Sequence, residues 1–382
     1  MAGTLRYAQL FELPPDAQVR AFADMRGLYP TREVRRGAQA RELPAGAPLH
    51  DVGYEHAGRR FGLADFIERG RIAGLLVLDR GQLVLERHAL GHTPETRWIS
   101  FSMAKSIAST LVGAALHEGA ITSLDEPVTR SVPRLRGSAY DDVTIRQVLQ
   151  MSSGVRWIET YLDPASDRRR LLQLQAEERP GAVLDYLATL PRTAEPGRCF
   201  NYSTGETFLL GAILIGAVGR TVCDYLSEKL WQPLGMEADA YWQLDSLGGQ
   251  EFTGSGLSAT LRDYARFAGF VLADGVIDGR RVLPESWVAM SSAIVAGSVL
   301  APGRLPGFEP LGYGFQWWTF PPEFGARTFG ALGIFGQQIY IDVDTQLVIV
   351  LHAAWPEPVH DASRLESYAF FRAVAHAVRA RR

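Results

Sequence analysis

Lysine is nearly missing from this chain. Of 39 basic residues only Lys105 and Lys229 are lysines. Cysteine is as scarce: Cys199 and Cys223 are too few for a disulfide framework and too far from any histidine pair for a zinc site. None of the eight histidines falls in H-E-x-x-H, and neither a G-x-x-x-x-G-K-[ST] phosphate loop nor a G-x-S-x-G nucleophile elbow occurs. These absences exclude the commonest zinc-protease, NTPase and α/β-hydrolase readings. The most apolar runs, 72–78, 208–218 and 347–355, fall short of the roughly 18 residues of a membrane span. A net charge of −3 supplies no basic field for nucleic acid. The opening residues hold no basic segment followed by an apolar run, so no signal peptide is expected. The expectation is a soluble cytoplasmic protein with no membrane and no nucleic acid among its partners.

What is present is ordinary globular composition, 47% hydrophobic and 21% charged over 382 residues, enough for two domains or one large one. Residues 1–60 are rich in Pro, Arg and Ala without a sustained period and read as an extension draped over the main body. Apolar runs at 72–78 and 83–87 flank Asp79-Arg80-Gly81-Gln82, which indicates a β-hairpin. Residues 100–119 read as a helix with Ser100 as cap and Gly119 at C′. Helical spacing returns after Thr144 and at 183–190, 206–218 and 260–272. Strands follow at 338–343 and 347–353, and a last helix at 363–379. Strands at both ends with helices between them predict an α/β (α+β) fold. Its antiparallel sheet, flanked by helices, is built from both termini around an inserted, mostly helical domain. The expected division is an extension at 1–60, a sheet domain from 61–125 and 245–382, and a helical domain at 126–244.

In so arginine-rich a chain a retained lysine carries meaning, because lysine can lose its proton when buried and arginine cannot. Lys105 closes Ser102-Met103-Ala104-Lys105, an S-x-x-K at the start of the helix at 100–119. Residues three apart share a helix face, so hydroxyl and amine can come within hydrogen-bond reach. Burial lowers the amine's pKa and lets it take the serine proton near neutrality. The helix amino terminus adds positive partial charge where an oxyanion would develop. The bland alternative is a capping serine beside a solvated lysine. Tyr202 lies between the Pro196-Gly197 turn and the helix from Glu206, where a phenol can reach into a cleft and share a proton shuttle. Alone, it would read as a half-buried packing aromatic. Gly330-Ala331-Leu332-Gly333-Ile334-Phe335-Gly336-Gln337 precedes the strand at 338–343. Its glycines permit close backbone approach, and N–H groups facing that of Ser102 would form an oxyanion hole. A glycine-rich bend is the alternative.

In this order these residues resemble the serine β-lactamase and penicillin-binding-protein superfamily, from about Leu75 to Trp355. Within it the resemblance is to 6-aminohexanoate-dimer hydrolases and family VIII carboxylesterases. It is carried by Ser102-Met103-Ala104-Lys105-Ser106, Leu149-Gln150-Met151-Ser152-Ser153-Gly154, the segment Glu159 to Ser166, Phe315-Gln316-Trp317-Trp318 and Gly333-Ile334-Phe335-Gly336-Gln337. The resemblance implies that Ser102 is acylated, that Lys105 and Tyr202 handle its proton, and that the Ser102 and Ile334 amides form the oxyanion hole. It also implies that Tyr161 lines a mobile loop over the pocket and that Gly333, Phe335 and Trp317 meet the substrate. Trp317 and Trp318 are either apolar wall or core. No metal and no organic cofactor is implied.

Two departures stand out. Thr204 occupies the third place of the family's Tyr-x-Asn motif, and the Lys-Thr-Gly of β-lactamases is absent. Arg327 is the candidate to restore that missing charge, and Arg168 to Arg170 read as a solvated run, with a bias toward neutral or acidic acyl substrates as the alternative. The expected function is hydrolysis of a small ester or amide, with a carboxylesterase first, an amidase on linear amides or D-amino-acid peptides second, and a non-catalytic binding protein third. A homodimer is admitted, with no motif behind it.

Overall fold

A computed structural model describes residues 7–293 and 298–382. The first six residues of the extension lie outside the described residues. In chain order, the elements that position the site are β1 (Thr31–Val34), β2 (Ile72–Asp79), β3 (Gln82–His88), β4 (Trp98–Ile99), α1 (Met103–His117), α2 (Asp167–Ala176) and α3 (Thr204–Val218). They continue with β5 (Ala240–Gln243), β6 (Leu257–Ala259), α4 (Leu261–Leu272), β7 (Gly312–Tyr313), β8 (Trp318–Thr319), β9 (Thr328–Gly333), β10 (Gln337–Asp342), β11 (Leu347–Ala353) and α5 (Asp361–Arg379).

The main sheet has seven strands in the order β7-β8-β9-β10-β11-β2-β3. All of its pairings are antiparallel. The amino-terminal hairpin therefore completes a sheet begun by the carboxyl-terminal strands, Ile349 lying opposite Val77. The near-continuous apolar run of β11 is explained by cover on both faces. Val348 and Val350 point into a core shared with α1 and α4, while Ile349 and Leu351 pack with Phe370, Phe371 and Val374 of α5. A smaller four-stranded sheet runs β1-β5-β6-β4. The extension is thus more than a draped segment: β1 pairs with β5, and the backbone at Pro44 and Gly46 bonds to Leu83.

Helix α1 is the central pillar, buried from Met103 to Ala115. It begins three residues after Ser100, with Ser102 at the N-cap. The Ser100 N–H is already bonded to the Leu257 carbonyl at 2.7 Å, and its hydroxyl donates to Phe101 O at 3.0 Å. Phe101 takes a left-handed φ of 44° to turn β4 into α1, a strain of roughly 1–3 kcal/mol. Its ring holds the turn closed against Phe22 and Phe335, with centroids 5.0 and 5.5 Å away. Helix α3, capped by the Ser203 hydroxyl on Glu206 N, packs along α1. Gln316, itself left-handed at φ 61°, clamps the two: its carbonyl accepts from Ser106 Oγ on α1, and its Oε1 accepts from Thr207 Oγ1 on α3.

Away from the pocket, a hydrogen-bonded row of side chains crosses the sheet edge. Arg262 grips Glu86 through two bonds, Glu86 meets His88, His88 meets His92 at 2.9 Å, and His92 meets His352 at 3.0 Å. Burial pushes His92 down to about 3 and His352 well below the usual histidine range, so both are neutral at pH 7. Among the described residues no single helix is long and apolar enough to cross a membrane.

Candidate active site

Ser102 stands at the amino terminus of α1, and no backbone amide bonds to its side chain. Its hydroxyl instead meets Lys105, one turn on, whose Nζ lies 2.9 Å from Ser102 Oγ. The amine also donates to Thr204 Oγ1 at 3.0 Å and to the Gly254 carbonyl at 2.6 Å. Lys105 is 1% exposed. Burial brings it down to about 7, opposed by the negative charge of Glu159 and assisted by the positive charge of Arg168. A surface lysine would stay charged; this one is available as a base near neutrality.

Tyr202 completes the cluster from the loop that enters α3. Its ring lies 5.0 Å from the Lys105 amine, and its phenol has Ser102 as a hydrogen-bond partner. Burial pushes that phenol far above the ordinary tyrosine range, so it keeps its proton. Thr204 stands where the family motif has asparagine. It accepts from Lys105, while its hydroxyl donates to Glu159 Oε1 at 2.5 Å and its N–H to Oε2 at 2.9 Å. Glu159 also accepts from the Trp157 indole and lies 3.9 Å from the Arg168 guanidinium.

These residues face a cavity of about 100 Å³. Ser102, Tyr161, Tyr202, Gly333 and Ile334 all line it, beside Phe308, Trp318, Leu332, Trp355 and Arg364. Gly333 lies so close to the turn before Ser102 that a Cβ there would fall 2.5 Å from Ser100 O. Glycine is needed for that approach. A larger cleft of about 490 Å³, near His117, Lys229 and Arg280, sets no nucleophile beside a base. Its Lys229 is paired with Glu118 and Glu228.

Four readings of the sequence are corrected. Trp317 does not line the cavity: it is buried between Phe267 and Phe329, and the alternation of the strand turns Trp318 to the cavity instead. Phe335 is fully buried as well, its left-handed φ of 59° swinging the ring to Phe22 and Phe101. Arg168 is not solvated. It is buried over Phe11 and Phe252, because the Glu159 carboxylate and two aromatic faces replace its water. Arg327 pairs with Asp344 at 2.7 Å on the surface, and Arg364 is the guanidinium at the cavity.

Glu159, Gly254 and Arg364 do not stand out in the sequence as site residues. Glu159 opens the segment that runs to Ser166, two residues before Tyr161, and that neighbourhood is the one signal it carries. Gly254 contributes only a carbonyl, and its Cβ would lie 2.6 Å from Thr204 O; backbone groups leave no side-chain pattern to find.

A serine at the start of a central helix, with a buried amine and a phenol on its flank, is the arrangement expected of a serine hydrolase of the β-lactamase type. The family model described as Beta-lactamase matches residues 41–373, and the chain belongs to that family. It is a hydrolase of the β-lactamase serine hydrolase superfamily. It is 33% identical over 346 residues to the 6-aminohexanoate-dimer hydrolase of Paenarthrobacter ureafaciens, covering 88% of this chain and 86% of that protein. A Bacillus anthracis structure provisionally described as a 6-aminohexanoate-dimer hydrolase superposes with a TM-score of 0.87 at 24% identity, over 98% of this chain and 97% of that one. A family VIII carboxylesterase shares the fold at TM-score 0.62 and 17% identity, over 82% and 95% of the chains.

Proposed function

We propose that the protein hydrolyses small linear amides and esters through an acyl-Ser102 intermediate. The observation that carries this is the buried Lys105 amine, 2.9 Å from the Ser102 hydroxyl and brought down to about 7. In its free-base form Lys105 takes the Ser102 proton as Oγ attacks the substrate carbonyl. The Ser102 and Ile334 amides hold the oxyanion. Tyr202, which keeps its proton, gives it to the departing nitrogen or oxygen and is reprotonated from Lys105. Water then cleaves the acyl ester, its proton passing to the base, and the acid leaves with Ser102 restored.

The linear-amide reading is favoured by the 33% identity to a 6-aminohexanoate-dimer hydrolase. The wall of Phe308, Trp318, Leu332 and Trp355 suits a methylene chain. Arg364 suits a carboxylate at the far end of such a chain. Its side chain is 18% exposed, with Asp361 2.9 Å away and its Nε buried without a partner. The short apolar cavity also favours small neutral esters, whose alkoxide leaves more easily than an amine. A panel of 6-aminohexanoate dimer, a D-Ala peptide, p-nitrophenyl butyrate and a chromogenic cephalosporin tests the reading. The dimer and the butyrate are expected to turn over through Ser102. Turnover confined to the cephalosporin contradicts the reading.

A further inference from the structure

As an ammonium, Lys105 has three protons and three acceptors around it: Ser102 Oγ, Thr204 Oγ1 and the Gly254 carbonyl. As a base it has two protons and one lone pair. The Gly254 carbonyl can only accept, so it always holds one proton. The second proton and the lone pair are left to two hydroxyls, Ser102 and Thr204, and a hydroxyl can play either part. If Thr204 donated to the amine, the lone pair would turn away from Ser102 and the base would be idle.

Glu159 breaks this symmetry. Its Oε1 takes the Thr204 hydroxyl proton at 2.5 Å, and its Oε2 is occupied by the Thr204 N–H at 2.9 Å and by the Trp157 indole. A hydroxyl has one proton, so a Thr204 that donates to Glu159 can only accept from Lys105. We propose that Glu159 is a positioning residue: by fixing Thr204 as an acceptor, it leaves the free-base lone pair of Lys105 to Ser102. This rests on the acyl-serine reading and adds to it a Lys105–Thr204–Glu159 relay standing in for the family's asparagine. Glu159 comes from the loop ahead of α2 and touches neither substrate nor the reacting atoms.

The charged and titratable groups facing the amine are Glu159, Arg168 from α2 and the Tyr202 phenol. Removing the Glu159 charge lowers the pKa of Lys105, since that carboxylate is what opposes its burial. In Glu159→Gln the amide oxygen goes to the two N–H donors, because an NH₂ there would face them. The NH₂ then meets Thr204 Oγ1 and drives it to donate toward Lys105. The experiment measures kcat, KM and the pH dependence of kcat/KM for p-nitrophenyl butyrate, with the rate and end point of fluorophosphonate labelling at Ser102.

For Glu159→Gln the expectation is a kcat about 10- to 100-fold lower, short of the roughly 10²- to 10⁴-fold that complete loss of general acid–base catalysis costs because Lys105 itself remains, with KM little changed. The acid limb of the pH profile moves to lower pH, and labelling is slower but still complete. Thr204→Ser, which keeps the hydroxyl, retains most of the rate, whereas Thr204→Val falls with Glu159→Gln. A Glu159→Gln profile that coincides with wild type overturns the proposal, as does a Thr204→Val that matches Thr204→Ser. The Thr204 pair decides the matter if Glu159→Gln does not fold. Absence of a Ser102 adduct in the wild-type protein overturns the acyl-serine reading instead.

Discussion

At the scale of single residues the chemistry turns on one ionisation. Lys105 is brought down to about 7 by burial, so the free base predominates above pH 7 and the ammonium below it. The expected kcat/KM profile is flat above 7 and falls about tenfold per pH unit below it, measured by initial rates on p-nitrophenyl butyrate. Lys105→Arg is expected to be nearly as inactive as Lys105→Ala, because a guanidinium keeps its charge but cannot serve as a base. On the proposed function Arg364 serves binding and not the chemical step. Arg364→Ala is expected to raise KM about 10- to 100-fold for substrates ending in a carboxylate, the equivalent of one charge-assisted contact. KM for a neutral ester should stay within a small factor, and equal effects on both would remove Arg364 from recognition. Ser102 and Lys105 were legible because S-x-x-K puts two chemical groups on one helix face. Arg364 was not, because it reaches the cavity from the far end of the chain, and nothing near it in sequence marks that approach.

At the scale of elements, one side chain holds the turn that carries Ile334, the proposed oxyanion donor. Gln337 Nε2 donates to the carbonyls of Ile334, Phe335 and Ala353, and its Oε1 accepts from the Trp98 indole and Ala353 N. It therefore ties β4, β11 and the turn after β9 together inside the core. Gln337→Met fills the space but strands these groups away from water, each at about 1–3 kcal/mol if no new partner is found. The expected result is a lower urea midpoint by the equivalent of at least about 2 kcal/mol, the middle of that range for one stranded group. A drop in kcat should accompany it, since the Ile334 amide loses its mooring. Unchanged stability would show that the turn holds itself. Strong periodicity made most elements readable: the 72–87 hairpin, the helix after Thr144 and the strand over Leu347–Ala353 all lie where the pattern places them. Misplaced features have local physical causes. The Ser100 N–H bonds to Leu257 just beyond the end of β4 and the cap position falls to Ser102, and the left-handed φ of Phe335 reverses its side chain in a way no hydrophobic pattern encodes.

At the scale of the whole molecule, the row from Glu86 to His352 links two strands of the main sheet to the loop after β3 and makes the fold sensitive to acid. His92 is held down to about 3 in the folded protein, against about 6.5 in the unfolded chain. The unfolded chain therefore binds a proton that the folded one refuses. Stability is fully present above about pH 6.5 and is lost as pH falls from there toward 3, at about 1.4 kcal/mol per pH unit for such a histidine. His352 acts in the same direction. Urea midpoints between about pH 7 and 4.5 are expected to fall accordingly, and the slope should be shallower in His92→Gln. An equal slope would assign the acid loss to carboxylates. The sheet built from both termini was legible because strand patterns frame a helical middle, whereas this row was not, since His88, His92 and His352 meet only once β11 lies against β2. The central claim is the acyl enzyme itself. Mass spectrometry of the wild-type protein, acid-quenched while turning over a p-nitrophenyl ester, is predicted to find the acyl group on the peptide containing Ser102 and nowhere in Ser102→Ala. An acyl group on another residue, or Ser102→Ala turning over near the wild-type rate, would contradict it.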